Sequence, residues 1–320
     1  MRLVTRSDFD GLICGFLLRE IGVIDSWVFV HPKDLQDGKF VANPNDVLVN
    51  VPYVPGCGLW FDHHSSENER VWADYEGMSA LAPSCARIIY DYYGGQERFP
   101  NRGEMIDYAD RIDSARLSIE EIENPTGWIL LGFISDPRSG LGRYHGYNIS
   151  NFQLMSLLLD SYYLAECEEI LALPDVQERI VRFREEDQRF REMLRNCTRV
   201  SGNVIISDLR NLDSIHSGNR FVIYSLYPEQ NVSLWVVNVR DQANVMISCG
   251  HSVINRTCKT DVGSLMLRYF GGGHQQVGTC QVPMSEADAI IAEIVQQLQS
   301  DDEDILLSHD PLQVLPFDDL

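Results

Sequence analysis

Acidic residues and imidazoles gather in this chain at three short stretches whose spacing suits metal and phosphate chemistry. The first is Ser7-Asp8-Phe9-Asp10-Gly11, two carboxylates at i and i+2 followed by glycine. Set between a strand and a helix, it brings acids to the carboxyl edge of a sheet, where α/β proteins bind ligands. The same D-x-D-G spacing also serves as a turn and helix N-cap. The second stretch is Phe61-Asp62-His63-His64, which follows the strand-like run Gly58-Leu59-Trp60. Adjacent histidines point in different directions, so one can ligate a cation while the other faces an anionic substrate. An aspartate beside them can orient an imidazole. The third, over 108–114, carries Asp110 and Asp113 at i and i+3 on one helical face. A solvated face with an Asp–Arg pair looks the same. Several carboxylates with imidazoles and no thiolates make a hard oxygen/nitrogen site, better suited to Mn²⁺ or Mg²⁺ than to structural zinc. So many carboxylates repel one another without cations between them.

These groups need a scaffold, and the apolar pattern supplies one. Residues 3–5, 27–30, 47–51 and 59–61 are short and nearly all apolar, which suits a parallel sheet covered on both faces. Helices are expected over 11–21 and over 79–93, the latter with Pro83 in its first turn and Gly94-Gly95 closing it. From 102 to about 196 the pattern is helical, ending in a charged segment, 176–195, that reads as a solvated connecting helix. After Gly202 the texture becomes β-rich at 204–207, 220–226, 232–239 and 244–249. A helix at 261–269, a strand near 279–282 and a helix at 285–299 complete an α+β unit. The expected fold is therefore α/β: a parallel-sheet N-terminal domain (1–196) joined by a helical linker to a smaller α+β domain (202–299), with an acidic tail (300–320).

Composition sets the outer limits. With 320 residues, 44% hydrophobic and 10% aromatic, there is apolar material for two cores. No apolar run approaches the roughly 18–20 residues of a membrane helix, and the N-terminus lacks the pattern of a signal peptide. Eight cysteines occur singly, with no CxxC pair, which reads as reduced cytosolic thiols rather than disulfides or a zinc site. Asp and Glu number 47 against 26 Lys and Arg, a formal charge of -21. That balance excludes an extended duplex footprint. It leaves room for a short anionic ligand held by a local basic pocket or by metal ions.

Taken in order, D-x-D-G, an apolar strand, D-H-H, an acid-bearing helix and G-G-G-H (Gly271, Gly272, Gly273, His274) resemble the DHH phosphoesterase family. That family includes RecJ-type nucleases, nano-RNases and pAp phosphatases, and exopolyphosphatase-like proteins. The resemblance runs over nearly the whole chain. It implies a parallel-sheet catalytic domain and a DHH-associated domain, with two Mn²⁺ between them and Mg²⁺ as the alternative. By position, Asp8 and Asp10 resemble the first motif's ligands. His63 resembles the ligating histidine, with Asp62 as its partner and His64 turned to the phosphate. Asp110 resembles the acid that closes the second metal site, with Asp113 in reserve. The glycine loop resembles the substrate loop: without β-carbons its N–H groups can approach an anion closely, and His274 adds a donor.

Two departures stand out. The stretch Val4-Thr5-Arg6 lacks a histidine that many relatives carry before the first acid pair. More consequential, Asn50 in VLVNVPY stands where relatives place an aspartate that bridges both metals, and a neutral amide carbonyl bridges cations less strongly. Arg111, Arg116, Arg138 and Arg143, with Arg240 and Lys259, are available to supply local positive charge. Asn255 and Arg256 are the foremost substrate candidates. The resemblance implies a cytoplasmic, metal-dependent phosphohydrolase acting on a short phosphorylated substrate or oligonucleotide, with no membrane and compatible with a homodimer. The DRIDS stretch and Asn50 stand nearest the exopolyphosphatase-like branch, with oligoribonucleotide or pAp cleavage also open. The alternative is a non-catalytic nucleotide-binding regulator whose two-metal site is degenerate at Asn50.

Overall fold

Strand-forming runs in the first half are short and mostly apolar, and they pair with one another. In the computed structural model, which describes residues 1–64, 74–239 and 243–308, β1 (Arg2–Thr5), β2 (Ser26–Phe29), β3 (Asp46–Val49), β4 (Leu59–Asp62) and β5 (Gly77–Ser79) form one parallel sheet. Its order is β2-β1-β3-β4-β5. β3 is buried along its whole length, and the helix Phe9–Glu20 is buried from Phe9 to Leu18, as a sheet covered by helices requires. The chain leaves β1 toward β2, then returns to the other side of β1 as β3. The order therefore reverses between β1 and β3, which opens a crevice at their carboxyl ends.

Two stretches differ from the sequence expectation. The helix expected from 79 starts only at Cys85 and runs to Tyr92, capped by the Ser84 side chain, which accepts from Arg87 N. Pro83 lies outside it, because the residue before a proline is pushed out of the helical region, and Gly77–Ser79 becomes β5 instead. The stretch 220–226, expected as β, holds the helix Val222–Leu226. Its FVIYSL run is too short for periodicity to separate strand from helix. Topology decides: β7 (Val204–Asp208) and β8 (Val232–Asn238) pair in parallel, and parallel neighbours need a crossover.

The second sheet has the order β10-β11-β9-β8-β7-β6, adding β6 (Thr198–Ser201), β9 (Asn244–His251), β10 (Gly272–His274) and β11 (Val277–Pro283). Burial alternates along β9 and β11, so one face is covered. Val204, Leu234, Ile247 and Cys280 on that face pack against Leu265, Met266, Ile294 and Leu298 of the helices Val262–Leu267 and Ala287–Ser308. By contacts the chain divides into Met1–Asp187 with Ser217–Arg220, and Gln188–His216 with Phe221 onward. The helix Pro174–Cys197 runs across the division. The acidic tail begins as the end of the helix Ala287–Ser308. Its remainder, 309–320, and Arg240 lie outside the described residues, as does the Arg143 side chain. No described helix is long and apolar enough to cross a membrane.

Candidate metal centre and substrate hairpin

Asp8, Asp10, Asn50, Asp62 and His63 all stand at the carboxyl ends of β1, β3 and β4. Asp8 is the N-cap of the helix Phe9–Glu20, its Oδ1 accepting from Gly11 N at 3.0 Å, so the capping reading of D-x-D-G holds for this residue. A β-carbon on Gly11 would lie 2.5 Å from Arg6 O, which is why the motif needs glycine there. Asp8 also accepts from Asn50 Nδ2 at 3.3 Å and pairs with Arg6 at 3.1 Å.

Asp10, in the first turn of that helix, is only 2% exposed. Its two oxygens accept from Ala86 N at 2.9 Å and Cys85 N at 3.0 Å, the otherwise unsatisfied first-turn donors of the helix Cys85–Tyr92. Burial first, then the Asp113 carboxylate, push Asp10 up to about 7. Burial likewise raises Asp113, the last residue of the helix Gly103–Asp113. His63 Nε2 lies 3.2 Å from Asp113 Oδ2 and 4.0 Å from Asp10 Oδ2. Its Nδ1 is 3.1 Å from Ala82 O. A carbonyl only accepts, so Nδ1 donates to it, and Nε2 is left facing two carboxylates.

This arrangement fits a divalent cation on its own geometry. Ligand atoms of Asp10, His63 and Asp113 lie within 4.8 Å of one another. His63 Nε2 and Asn50 Oδ1 are buried without a well-aimed hydrogen-bond partner, an expensive state for a polar atom. Asn50 is 1% exposed and left-handed at φ 55°, a conformation asparagine tolerates better than most residues. A second group, Asp10 with Cys14 and Cys85, also comes within reach. There burial pushes the Cys85 thiol up to about 11 and raises the Cys14 thiol well above its usual value, so both thiols are neutral and ligate poorly.

The histidine and acid roles are redistributed relative to the sequence expectation. Asp62 partners His64, not His63: His64 Nδ1 lies 2.9 Å from Asp62 Oδ1, and His64 N donates to Oδ2. Burial lowers the His64 imidazole, but Asp62 and then Asp113 raise it more, and the net shift is upward. Asp110 stands apart from the Asp10–His63 group. It accepts from Arg87 Nε at 2.9 Å and Nη2 at 2.7 Å, and from Ser84 Oγ at 2.7 Å. Asp113 takes the position beside His63. Sequence reading missed the Ser84–Arg87 turn, although a serine just ahead of an apolar helical run is an N-cap signal. Besides Arg6, Arg138 feels the field of the site's acids. Against the cost of burial, Asp136 and then Asp8 and Asp113 favour its charged form, and its Nε donates to Asp136 at 2.8 Å.

In the second unit the glycine stretch forms the β10–β11 hairpin, with Gly272 opposite Thr279 and His274 opposite Val277. A β-carbon on Gly271 or Gly273 would fall 2.2 Å from the backbone oxygen of Thr279 or Val277, whereas at Gly272 it would meet nothing within 4 Å. Gly271 and Gly273 are thus needed by the hairpin itself, and Gly272 is the glycine the fold does not require. His274 is exposed. Asn255 is engaged in shaping its own loop, donating to Glu229 O and accepting from Thr257 Oγ1. Arg256 Nε donates to Val253 O.

Three expected results follow from these contacts. Gly272→Ala keeps the wild-type melting temperature and weakens substrate binding, while Gly271→Ala lowers the melting temperature; thermal melts beside steady-state kinetics check the pair. Asn50→Asp removes an amide donor and sets a carboxylate against Asp8. It therefore destabilises the metal-free protein and tightens Mn²⁺, and calorimetric titration with a thermal melt reads both. The third concerns pH. Asp10 is raised in the folded state, so its contribution to stability is full below about 4 and is lost as pH rises through about 7. Melts across pH 4–9 should show the metal-free protein weakening over that window, with Mn²⁺ restoring stability above it.

No family model matches the sequence, and no curated protein matches it either. Solved structures do. A pGpG-specific phosphodiesterase, PggH from Vibrio cholerae, is 41% identical, with a TM-score of 0.83 over 94% of this chain and 99% of that one. An exopolyphosphatase-related protein from Bacteroides fragilis is 14% identical (TM-score 0.51, covering 94% and 93%), and an exonuclease RecJ bound to manganese is also 14% identical (TM-score 0.51, 93% and 90%). These two share the fold. With an acid–histidine group at the sheet's switch point, a glycine hairpin in the second unit, and 41% identity spanning both units, this chain belongs to the DHH phosphoesterase family.

Proposed function

We propose that this phosphoester hydrolase is a divalent-metal-dependent phosphodiesterase that cleaves a short linear dinucleotide with a 5′-phosphate, of the pGpG kind. The observation that carries the reading is the 41% identity to a pGpG-specific phosphodiesterase across 99% of that chain. The 14% identity to the exopolyphosphatase-related protein gives that branch no comparable support. Net charge agrees, since a short substrate needs no extended basic surface. Eight free cysteines support a cytoplasmic location.

Asp10, His63 and Asp113 would hold the cation, Mn²⁺ or Mg²⁺, with Asn50 Oδ1 beside them. When bound, it lowers the pKa of a coordinated water toward neutrality and stabilises charge on the phosphoryl oxygens. The chain's own residues do the rest. Ala82 O fixes the His63 ring so that Nε2 stays available. The first-turn N–H groups of Cys85 and Ala86 hold both Asp10 oxygens in place. Asp62 holds His64 at Nδ1, which leaves Nε2 to donate a proton toward a phosphate or leaving oxygen. Arg138 adds positive charge beside the acids, and the Gly272–His274 strand offers donors to a second anionic group.

The test is a Mn²⁺-supplemented hydrolysis panel of pGpG, pApA, pAp, a cyclic dinucleotide and tripolyphosphate. Fastest cleavage of pGpG, to GMP, is expected. Faster turnover of pAp or tripolyphosphate would overturn the dinucleotide reading.

A further inference from the structure

Phe270 directly precedes the glycine hairpin and breaks two rules at once. Its backbone is left-handed, φ 58°, a conformation that is a genuine outlier for a bulky side chain. Its side chain is fully exposed, at 101%, so no packing within the described protein compensates for the strain. The backbone explains only the turn. Phe270 N donates to Leu267 O, and Gly271 N to Met266 O at 3.0 Å, closing the end of the helix Val262–Leu267 in the manner that normally takes glycine. Glycine would serve the turn better, yet the chain has phenylalanine there. Leu267 and Val277, on the same helix end and hairpin, are also exposed, at 64% and 52%. Held strain with an unpacked aromatic ring, next to backbone that leaves Gly272 open, points to a ligand.

We propose that Phe270 is a stacking platform for a purine base of the substrate, with the adjacent Gly272–His274 strand taking the phosphate. This rests on the dinucleotide reading above and specifies how that substrate is gripped. The occupant follows from the chemistry on either side of Gly271: a flat apolar face next to N–H and imidazole donors matches a nucleotide, which presents a π-face beside a phosphate. Stacking of this kind tolerates any base, because every base has a π-face.

The experiment pairs stability with binding on the full chain in the presence of Mn²⁺. Phe270→Gly relieves the backbone strain, so its melting temperature should rise by about 2–4 °C. Its affinity for GMP, titrated calorimetrically, should fall about 5- to 100-fold, while affinity for ribose 5-phosphate stays at the wild-type value. Phe270→Trp should restore GMP binding. A lower melting temperature in Phe270→Gly would mean that the ring is a structural contact. Unchanged GMP affinity, or equal losses for GMP and ribose 5-phosphate, would also overturn the proposal. Because both ligands are bound and not hydrolysed, the result stands apart from the hydrolysis panel. A chain that ignores pGpG yet loses GMP in Phe270→Gly refutes the substrate and keeps the platform.

Discussion

Asp10→Asn is expected to lose at least about a thousandfold in Mn²⁺-dependent hydrolysis, corresponding to the several kcal/mol a metal centre supplies, while the protein folds normally. The Asp10 carboxylate has two roles. As an acceptor for Cys85 N and Ala86 N, it ties the helix Phe9–Glu20 to the helix Cys85–Tyr92, and the asparagine carbonyl keeps part of that link. As a charge, it is buried beside Asp113 and raised to about 7, so without a cation it is a burden on the fold. Removing the charge should therefore leave the metal-free melting temperature unchanged or higher at pH 8, while Mn²⁺ no longer raises it. Kinetics with a paired melt in the presence and absence of Mn²⁺ checks both halves. Full activity in this variant would remove Asp10 from the metal centre.

A contrast between Asp113 and Asp110, one helical turn apart, carries the second large effect. Asp113→Asn takes away an acid 3.2 Å from His63 Nε2, so activity should fall by about a hundredfold or more with no loss of stability. Asp110→Asn should do the reverse. Its carboxylate receives two hydrogen bonds from Arg87 and one from Ser84, and breaking a buried pair costs about 3–5 kcal/mol. Arg87 is 25% exposed, which places the cost toward the lower end. Chemical denaturation read alongside activity per folded molecule separates the two. If Asp110→Asn abolished turnover at full stability, Asp110 would be the ligand and Asp113 the bystander.

Much of this architecture was legible in the chain. Apolar runs at 3–5, 47–51 and 59–61 marked a doubly covered parallel sheet, because such strands have no polar face to show. Motif order brought Asp10 and His63 to the edge of that sheet. What the chain hid was direction. Asp110 and Asp113 share a helical face, and only the position of Arg87, twenty-odd residues away in sequence, decides which of them is occupied. The same holds for Asp62, whose choice of His64 over His63 depends on which way the chain turns after β4. Local pattern also failed at 220–226, where parallel pairing of β7 with β8 demands a crossover that FVIYSL does not advertise. The strain at Phe270 had no sequence signal beyond its place before three glycines.

The central claim is that Asp10, His63 and Asp113 hold a divalent cation that drives phosphodiester cleavage. Anomalous diffraction at the manganese edge, from crystals of protein already shown to turn over substrate with Mn²⁺, tests it most directly. A peak among Asp10 Oδ, His63 Nε2 and Asp113 Oδ, with Asn50 Oδ1 adjoining, is the predicted result. A peak bound by Asp110, or active crystals with no peak among those three side chains, would contradict it.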